Sequence, residues 1–302
     1  MTLITKEKIM TNTTKEKNSK LGIIHILIAA FGFSLMTLFL KLAGDLPTME
    51  KAFFRNIVAL FLSVIMLSRS KEKFHIKKQS YPSLFFRSFF GTAGLIANFW
   101  AIDRLGLADA NMLNKMSPFF AMLMSIFILK EIPDKVEWIS IIVAFIGAIL
   151  IVKPSAGIAS LPAFVGLFGG FGAGTAYSFV RKVTRNGERG PVVVMCFSLF
   201  SSLVTLPFMI IYWVPMSLKQ FLFLLLSGTF AMVGQLNITA AYSYAPAAEI
   251  SVYDYSQVLF AAILGFFFFG ELPDLLSFLG YGIIIGIAII KWYYTLKIKA
   301  KS

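Results

Sequence analysis

Apolar residues along this chain do not alternate or fall into narrow stripes. They gather into long runs parted by short polar connections. Crossing a hydrocarbon layer of roughly 30 Å at about 1.5 Å per residue takes a helix of about 20 apolar residues, the length of these runs. Ten can be read: Leu21–Ala43, Lys51–Ser68, Ser83–Asp103, Leu107–Leu129, Val136–Val152, Leu161–Val180, Pro191–Trp213, Leu218–Tyr244, Ala247–Phe269 and Leu275–Leu296. The pattern predicts an all-α integral membrane protein with ten transmembrane helices and no room for a soluble catalytic domain. Residues 1–20, with Lys6, Lys8, Lys15, Lys17 and Lys20, are polar and read as a solvated tail rather than a removable signal, and residues 297–302 form a second tail.

Charge then orients the bundle. With the N-terminus cytoplasmic, twenty Lys and Arg residues fall on inner segments and five on outer ones: Lys41, Lys51, Arg104, Lys153 and Lys219. That bias places both termini on the cytoplasmic side of the cell membrane. It also gives the net charge of +13 a topological meaning, with attraction to anionic membrane lipid, so nucleic acid is not an expected partner. With basic residues at a run's edge counted to the adjoining segment, Arg55, Arg87 and Lys115 are the three that fall inside runs.

Sliding the chain against itself by 140 residues aligns its two halves without a gap, residues 21–152 with 161–296. Phe31-Gly32 meets Phe171-Gly172, Lys41 meets Arg181, and Gly94 meets Gly234. The most distinctive match sets Glu131-Ile132-Pro133-Asp134 on Glu271-Leu272-Pro273-Asp274. Here a helix ends before Pro and the next begins just after it, with Glu131 and Glu271 expected to cap or pair. Five runs per half force the second copy to enter the membrane from the opposite face. Such inverted repeats let two halves exchange conformations around a central site.

These residues make the chain resemble the drug/metabolite transporter superfamily, in its EamA branch of ten-helix transporters. The resemblance rests on Phe54-Arg55-Asn56, on Phe86-Arg87-Ser88-Phe89-Phe90-Gly91, and on Phe127-Ile128-Leu129-Lys130-Glu131 with its counterpart Phe267-Phe268-Phe269-Gly270-Glu271. It implies that spans one, three, four, six, eight and nine line a central cavity, with five and ten outside. Similar transporters carry amino acids, nucleosides, S-adenosylmethionine and other metabolites.

Candidate chemistry lies within the spans. Lys115 and Asp254 sit roughly 12 Å from a span end at helical rise, too deep to reach the interface easily, so both should face the interior. The repeat offset sets Asp254 against Asn114, which brings the two charges near one level. Either Lys115 attracts a carboxylate and Asp254 an ammonium or sulfonium, or the two form a salt bridge that latches one conformation. Asp254 is also a candidate for carrying a coupling proton, exchange against a counter-substrate being the alternative. Polar and aromatic neighbours complete the candidate substrate site: Asn111 and Asn114, Tyr253, Tyr255 and Gln257, Gln235 and Asn237, and Asn98 with Trp100. Tyr242 and Tyr244 read as interface anchors or packing, and Arg55 and Arg87, each about a turn inside its span and at opposite faces of the membrane, as snorkelling residues. Pro118 is expected to kink span four and free a carbonyl beside the site.

One cysteine, Cys196, and two histidines, His25 and His75, give no disulfide framework, Cys-based metal site or His-based triad. Residues 169–174, Gly-Gly-Phe-Gly-Ala-Gly, lack the Lys-Ser/Thr ending of a phosphate loop and suit close helix packing instead. No cofactor is called for. The expected function is secondary transport of a small metabolite, an amino acid or a zwitterionic derivative such as S-adenosylmethionine. A neutral solute such as a nucleoside is the alternative, and a channel or membrane-embedded enzyme the remaining classes.

Overall fold

The computed structural model describes residues 3–105, 113–152, 160–270 and 272–295, and every regular element among them is helical. The first half contains α1 (Leu3–Leu42), α2 (Thr48–Ser68), α3 (Tyr81–Leu105), α4 (Ser117–Leu129) and α5 (Lys135–Val152). The second contains α6 (Leu161–Arg185), α7 (Gly190–Ile211), α8 (Leu218–Tyr244), α9 (Ala247–Ile250), α10 (Ser256–Phe269) and α11 (Leu275–Tyr293). Two short 3-10 segments, Lys78–Ser80 and Ser251–Tyr255, lead into α3 and join α9 to α10. Seven stretches among the described residues are long and apolar enough to cross a membrane: 17–42, 48–68, 161–185, 190–211, 218–244, 247–269 and 275–293. The outward faces match that solvent. Ile139, Ile142 and Ile146 on α5, and Phe278, Ile285 and Ile289 on α11, are all exposed, whereas Ala29, Ala52, Ala144 and Ala148 fill the helix contacts.

Three expectations change in detail. The first helix begins at Leu3, well ahead of the apolar run, so helix continues through the stretch read as a tail. The fourth run was expected from Leu107, but its first residues lie outside the described ones and α4 starts only at Ser117. Pro118 therefore sits in the first turn of a helix rather than at a kink within one, where its missing N–H costs nothing. Ahead of it, Met116 N–H reaches Leu113 O at 3.1 Å in a tight turn. The ninth run is also broken, since the 3-10 segment Ser251–Tyr255 interrupts it. Ser256 Oγ donates to Tyr253 O at 2.7 Å, a side-chain bond that competes with the helical ladder there. Under the 140-residue offset the turn at residues 115–116 falls on 255–256, where the 3-10 segment gives way to α10, so the breaks in the two halves overlap.

Packing follows the repeat. α3 lies against α6 and α1 against α8, α2 packs on α7, and α5 on α11. Exchanging the two halves maps each of these contacts onto itself or onto its counterpart. Glycine permits the closest ones. A Cβ on Gly94 would stand 2.9 Å from Gly169 O and Ala173 N across the α3–α6 contact, and one on Gly32 would stand 3.1 Å from Gly234 N across α1–α8. Both α4 and α10 end on a left-handed residue, Lys130 at φ 58° and Gly270 at φ 67°, again equivalent positions. The aspartates of the two Glu-x-Pro-Asp segments cap the helices that follow. Asp134 Oδ1 accepts from Glu137 N–H at 2.9 Å while Glu137 Oε2 accepts from Asp134 N–H at 2.9 Å, and Asp274 Oδ1 accepts from Ser277 N–H at 3.0 Å.

Candidate functional site

A cavity of about 450 Å³ runs inward from the α1–α2 connection between α1, α2, α3, α6, α7, α8 and α10. Lys41, Gly44, Asp45, Thr48 and Lys51 stand at its mouth. Deeper, its wall combines Phe33, Phe99 and Phe197 with Arg55, Arg87, Tyr177 and four amides, Asn98, Asn114, Gln235 and Gln257. This is the composition of a small-molecule pocket, mostly apolar surface with a few placed polar groups.

Arg87 was expected to snorkel. Instead it is 2% exposed, because its side chain runs between helices rather than toward the membrane surface. Its Nη2 donates to Gln235 Oε1 at 2.8 Å, and the guanidinium lies over the Phe197 ring, 4.1 Å from the centroid. Arg55 lines the same cavity from α2, within electrostatic reach of Arg87 and the Tyr177 phenol. Depth along a helix could not reveal this, since which way an arginine turns depends on the neighbouring helix. The signal that was available is compositional: two arginines inside apolar runs, in a chain whose other basic residues, Lys115 apart, lie in the connections or toward the run ends.

Of the residues expected at the site, Asn98, Asn114, Gln235 and Gln257 line this cavity. Lys115 and Asp254 meet just behind its wall. Lys115 Nζ lies 3.5 Å from Asp254 Oδ2 and donates to Gln257 Oε1 at 2.6 Å, and the two charged side chains are 13% and 7% exposed. The two broken segments are thus tied together, and Tyr255 adds a second tie by donating its hydroxyl to Lys115 O at 3.0 Å. Tyr253 and Tyr255 are buried in the helix-packing core and belong to it rather than to the cavity wall. Trp100 lies under the guanidinium of Arg104 at 3.9 Å, and Asn237 Oδ1 pairs with His25 Nδ1 at 2.7 Å, so neither reaches this cavity. Asn111 lies outside the described residues.

The inner end of the cavity is closed by stacked groups. Tyr177 lines it, and Tyr242, 1% exposed rather than at an interface, stacks behind Tyr177 with centroids 5.3 Å apart. Below them Arg181 Nη1 donates to Tyr242 O at 2.9 Å, and its Nε pairs with Glu131 Oε1 at 2.7 Å. Arg185 joins the same carboxylate oxygen at 3.2 Å. Glu131 therefore pairs as the sequence suggested, while Glu271 lies outside the described residues. Among these there is also no group of three or more His, Cys, Asp or Glu residues placed to hold a metal.

A chamber between two matching helical halves, its wall mostly apolar with a few amides and two arginines, is the build of a membrane carrier. The chain matches the EamA-like transporter family over residues 20–153 and again over 160–292, and it belongs to that family. It is 33% identical to the pseudopaline exporter CntI of Pseudomonas aeruginosa over 278 residues, 90% of this chain and 95% of that one. It is 25% identical to human solute carrier family 35 member G1 over 296 residues, covering 92% of this chain and 81% of the relative. The riboflavin transporter of Vibrio cholerae is 23% identical over 271 residues, 87% of this chain and 90% of the relative. A solved crystal structure shares the fold at a TM-score of 0.77 and 13% identity, covering 93% of this chain and 97% of its own. The protein is a multi-pass membrane transporter of small molecules, and neither its family nor these relatives are enzymes.

Proposed function

We propose that the chain is a secondary carrier in the cytoplasmic membrane, moving a small organic metabolite by alternating access. Its frame is ten spans in two inverted repeats of five, residues 21–152 and 161–296, with both termini cytoplasmic. The observation that carries this reading is the cavity itself, open toward the α1–α2 connection and plugged at the opposite end by Tyr177, Tyr242, Arg181 and Glu131. Helix breaks at corresponding places in the two halves support it, because discontinuous helices at a repeat interface are where carriers of this architecture bind solute. With the termini cytoplasmic, the conformation described is open to the outside. An inward-open form follows when the halves exchange packing.

The solute is an amino acid or a derivative of one. Its carboxylate suits a chamber whose deep charges are basic, which favours it over S-adenosylmethionine, with two cationic groups against one carboxylate. Lys115 and Asp254 act as a latch between the broken segments rather than as direct contacts, since each already has the other at 3.5 Å. Coupling to a proton or to a counter-substrate supplies the driving force.

A thermal-stabilisation screen of unlabelled metabolites on the purified full chain, followed by radiolabelled counterflow in proteoliposomes with each hit, tests the carrier reading. Saturable flux that trans-substrate accelerates is expected. Flux without saturation or counterflow would make it a channel.

A further inference from the structure

Two arginines face one chamber in the membrane interior, and no described carboxylate lies within ion-pair distance of either. Asp45 is the one described acidic residue in the cavity wall, at the mouth, and Asp254 is engaged with Lys115 behind it. Guanidiniums so placed repel one another, and charge at such depth is costly unless it faces a polar cavity or a counter-charge. Within the protein, Arg87 is held by neutral groups, an amide oxygen on Nη2 and an aromatic ring on one face of the guanidinium plane. Those contacts fix its orientation without neutralising it, and Nε has no hydrogen-bond partner among the described residues.

The repeat makes the arrangement one-sided. Positions equivalent to Arg55 and Arg87 in the second half are Met195 and Ser227. An anionic group is therefore drawn to the first half alone, and a solute carrying one is oriented rather than accepted either way round. Four amides, Asn98, Asn114, Gln235 and Gln257, supply further polar groups of the wall.

We propose that Arg55 and Arg87 form a carboxylate subsite, so that the transported class is organic acids, amino acids included, whose carboxylates outnumber their cationic groups. A planar guanidinium fork matches a carboxylate in two parallel hydrogen bonds, which a lysine cannot reproduce. The assignment rests on the carrier reading above and moves its substrate class from amino acids in general to net-anionic organic acids, the acidic amino acids among them.

The test uses the full chain in detergent with three matched pairs of probes: L-glutamate and L-glutamine, L-aspartate and L-asparagine, and succinate and succinamide, at constant ionic strength. In at least one pair the carboxylate should raise the melting temperature where its amide does not. Arg55→Gln is the primary variant, because no hydrogen bond in the described structure depends on Arg55. It should weaken the responding carboxylate by about 10- to 100-fold, the scale of a charge-assisted hydrogen bond. Arg87→Lys, which keeps charge but loses the fork, should fall between wild type and Arg55→Gln. Equal response within every pair, undiminished preference in Arg55→Gln, or stronger stabilisation by S-adenosylmethionine than by any carboxylate would overturn the subsite. Saturable counterflow of neutral solutes only would also overturn it and leave the carrier reading standing. Carboxylate-dependent stabilisation without flux of any solute would do the reverse.

Discussion

Replacing Lys115 by Met removes one half of an ion pair that closes over the junction of α4 with the 3-10 segment between α9 and α10. Asp254 is then left 5% exposed, with no cation at 3.5 Å. Breaking one side of a buried pair costs about 3–5 kcal/mol. The low end, about 3 kcal/mol, applies here because 3.5 Å is long for a charged contact and Lys115 keeps 13% of its side-chain surface accessible. At about 2–4 °C per kcal/mol, Lys115→Met should lower the melting temperature of purified protein by about 6–12 °C. Asp254→Asn should cost less, about 1–2 kcal/mol, because the ammonium keeps Gln257 Oε1 at 2.6 Å. In the double variant no buried charge is orphaned. It should therefore lie closer to wild type than the sum of the single effects by about 2–3 kcal/mol, the coupling of a direct contact. As a latch, the pair is dispensable for solute binding, so the double variant should retain counterflow within about tenfold of wild type. Two results would refute this account: additive single effects, or a stable double variant with no flux, which would place the pair in direct contact with solute.

Other contacts make further claims. Glu131→Gln weakens the 2.7 Å charge-assisted bond to Arg181 at the plug, worth about 1.5–3 kcal/mol. It should shift the population toward the form open at that end by about 10- to 100-fold. Reaction of the Ala173→Cys variant, a cavity-wall position, in a Cys196→Ser background with a membrane-impermeant maleimide added from the α4–α5 side should accelerate accordingly; an unchanged rate would remove the plug assignment. Glu137→Gln disturbs the pair with Lys291, 1% and 0% exposed at 3.2 Å, where α5 meets α11 far from the cavity. It should lower the melting temperature, by about 3 kcal/mol in stability, without altering solute affinity measured by stabilisation titration. Gly94→Val drives a branched side chain into backbone that a single Cβ would already approach at 2.9 Å, and about 1–3 kcal/mol of overpacking should appear as lost monodisperse protein on size exclusion. Normal yield and melting temperature would contradict the close α3–α6 approach.

The helical, membrane-spanning class was legible because lipid is a one-sided filter: a backbone crossing it must satisfy its own hydrogen bonds, so length and apolarity suffice. The repeat was legible for a different reason. Turn chemistry is position-specific, and Asp134 and Asp274 cap the following helices in the same way at the same offset. The interruption at residues 251–255 was not legible as a break, because hydropathy averages over it, and the one at 115–116 was signalled only by Pro118, read as a kink. In the latter, the helix gives way just before Pro118 and Lys115 O is met by a hydroxyl 140 residues away, a contact no local pattern carries.

Arg87 shows where sequence depth stops being informative. A turn inside a span, a guanidinium can reach either the headgroups or a neighbouring helix, and both fit the same residue number. What decides is a partner 148 residues away, Gln235 on α8, together with the face of Phe197 on α7. The same logic separates the cations in the first half. Lys115 met a carboxylate from its own level in the other half, as the repeat offset implied, and is thereby engaged. Arg55 and Arg87 have no such counterpart, since the equivalent positions are Met195 and Ser227. The Lys115 ammonium is thus engaged in a structural tie, and the two guanidiniums are left to the cavity. Exchanging the asymmetry tests that distinction: Met195→Arg together with Arg55→Met moves one guanidinium to the other half. If position relative to the pseudo-axis orients the solute, the exchange should retain anion-dependent stabilisation but reduce counterflow by at least about tenfold, or about 1.4 kcal/mol. Full flux in the exchanged protein would mean that the chamber reads charge without reading orientation.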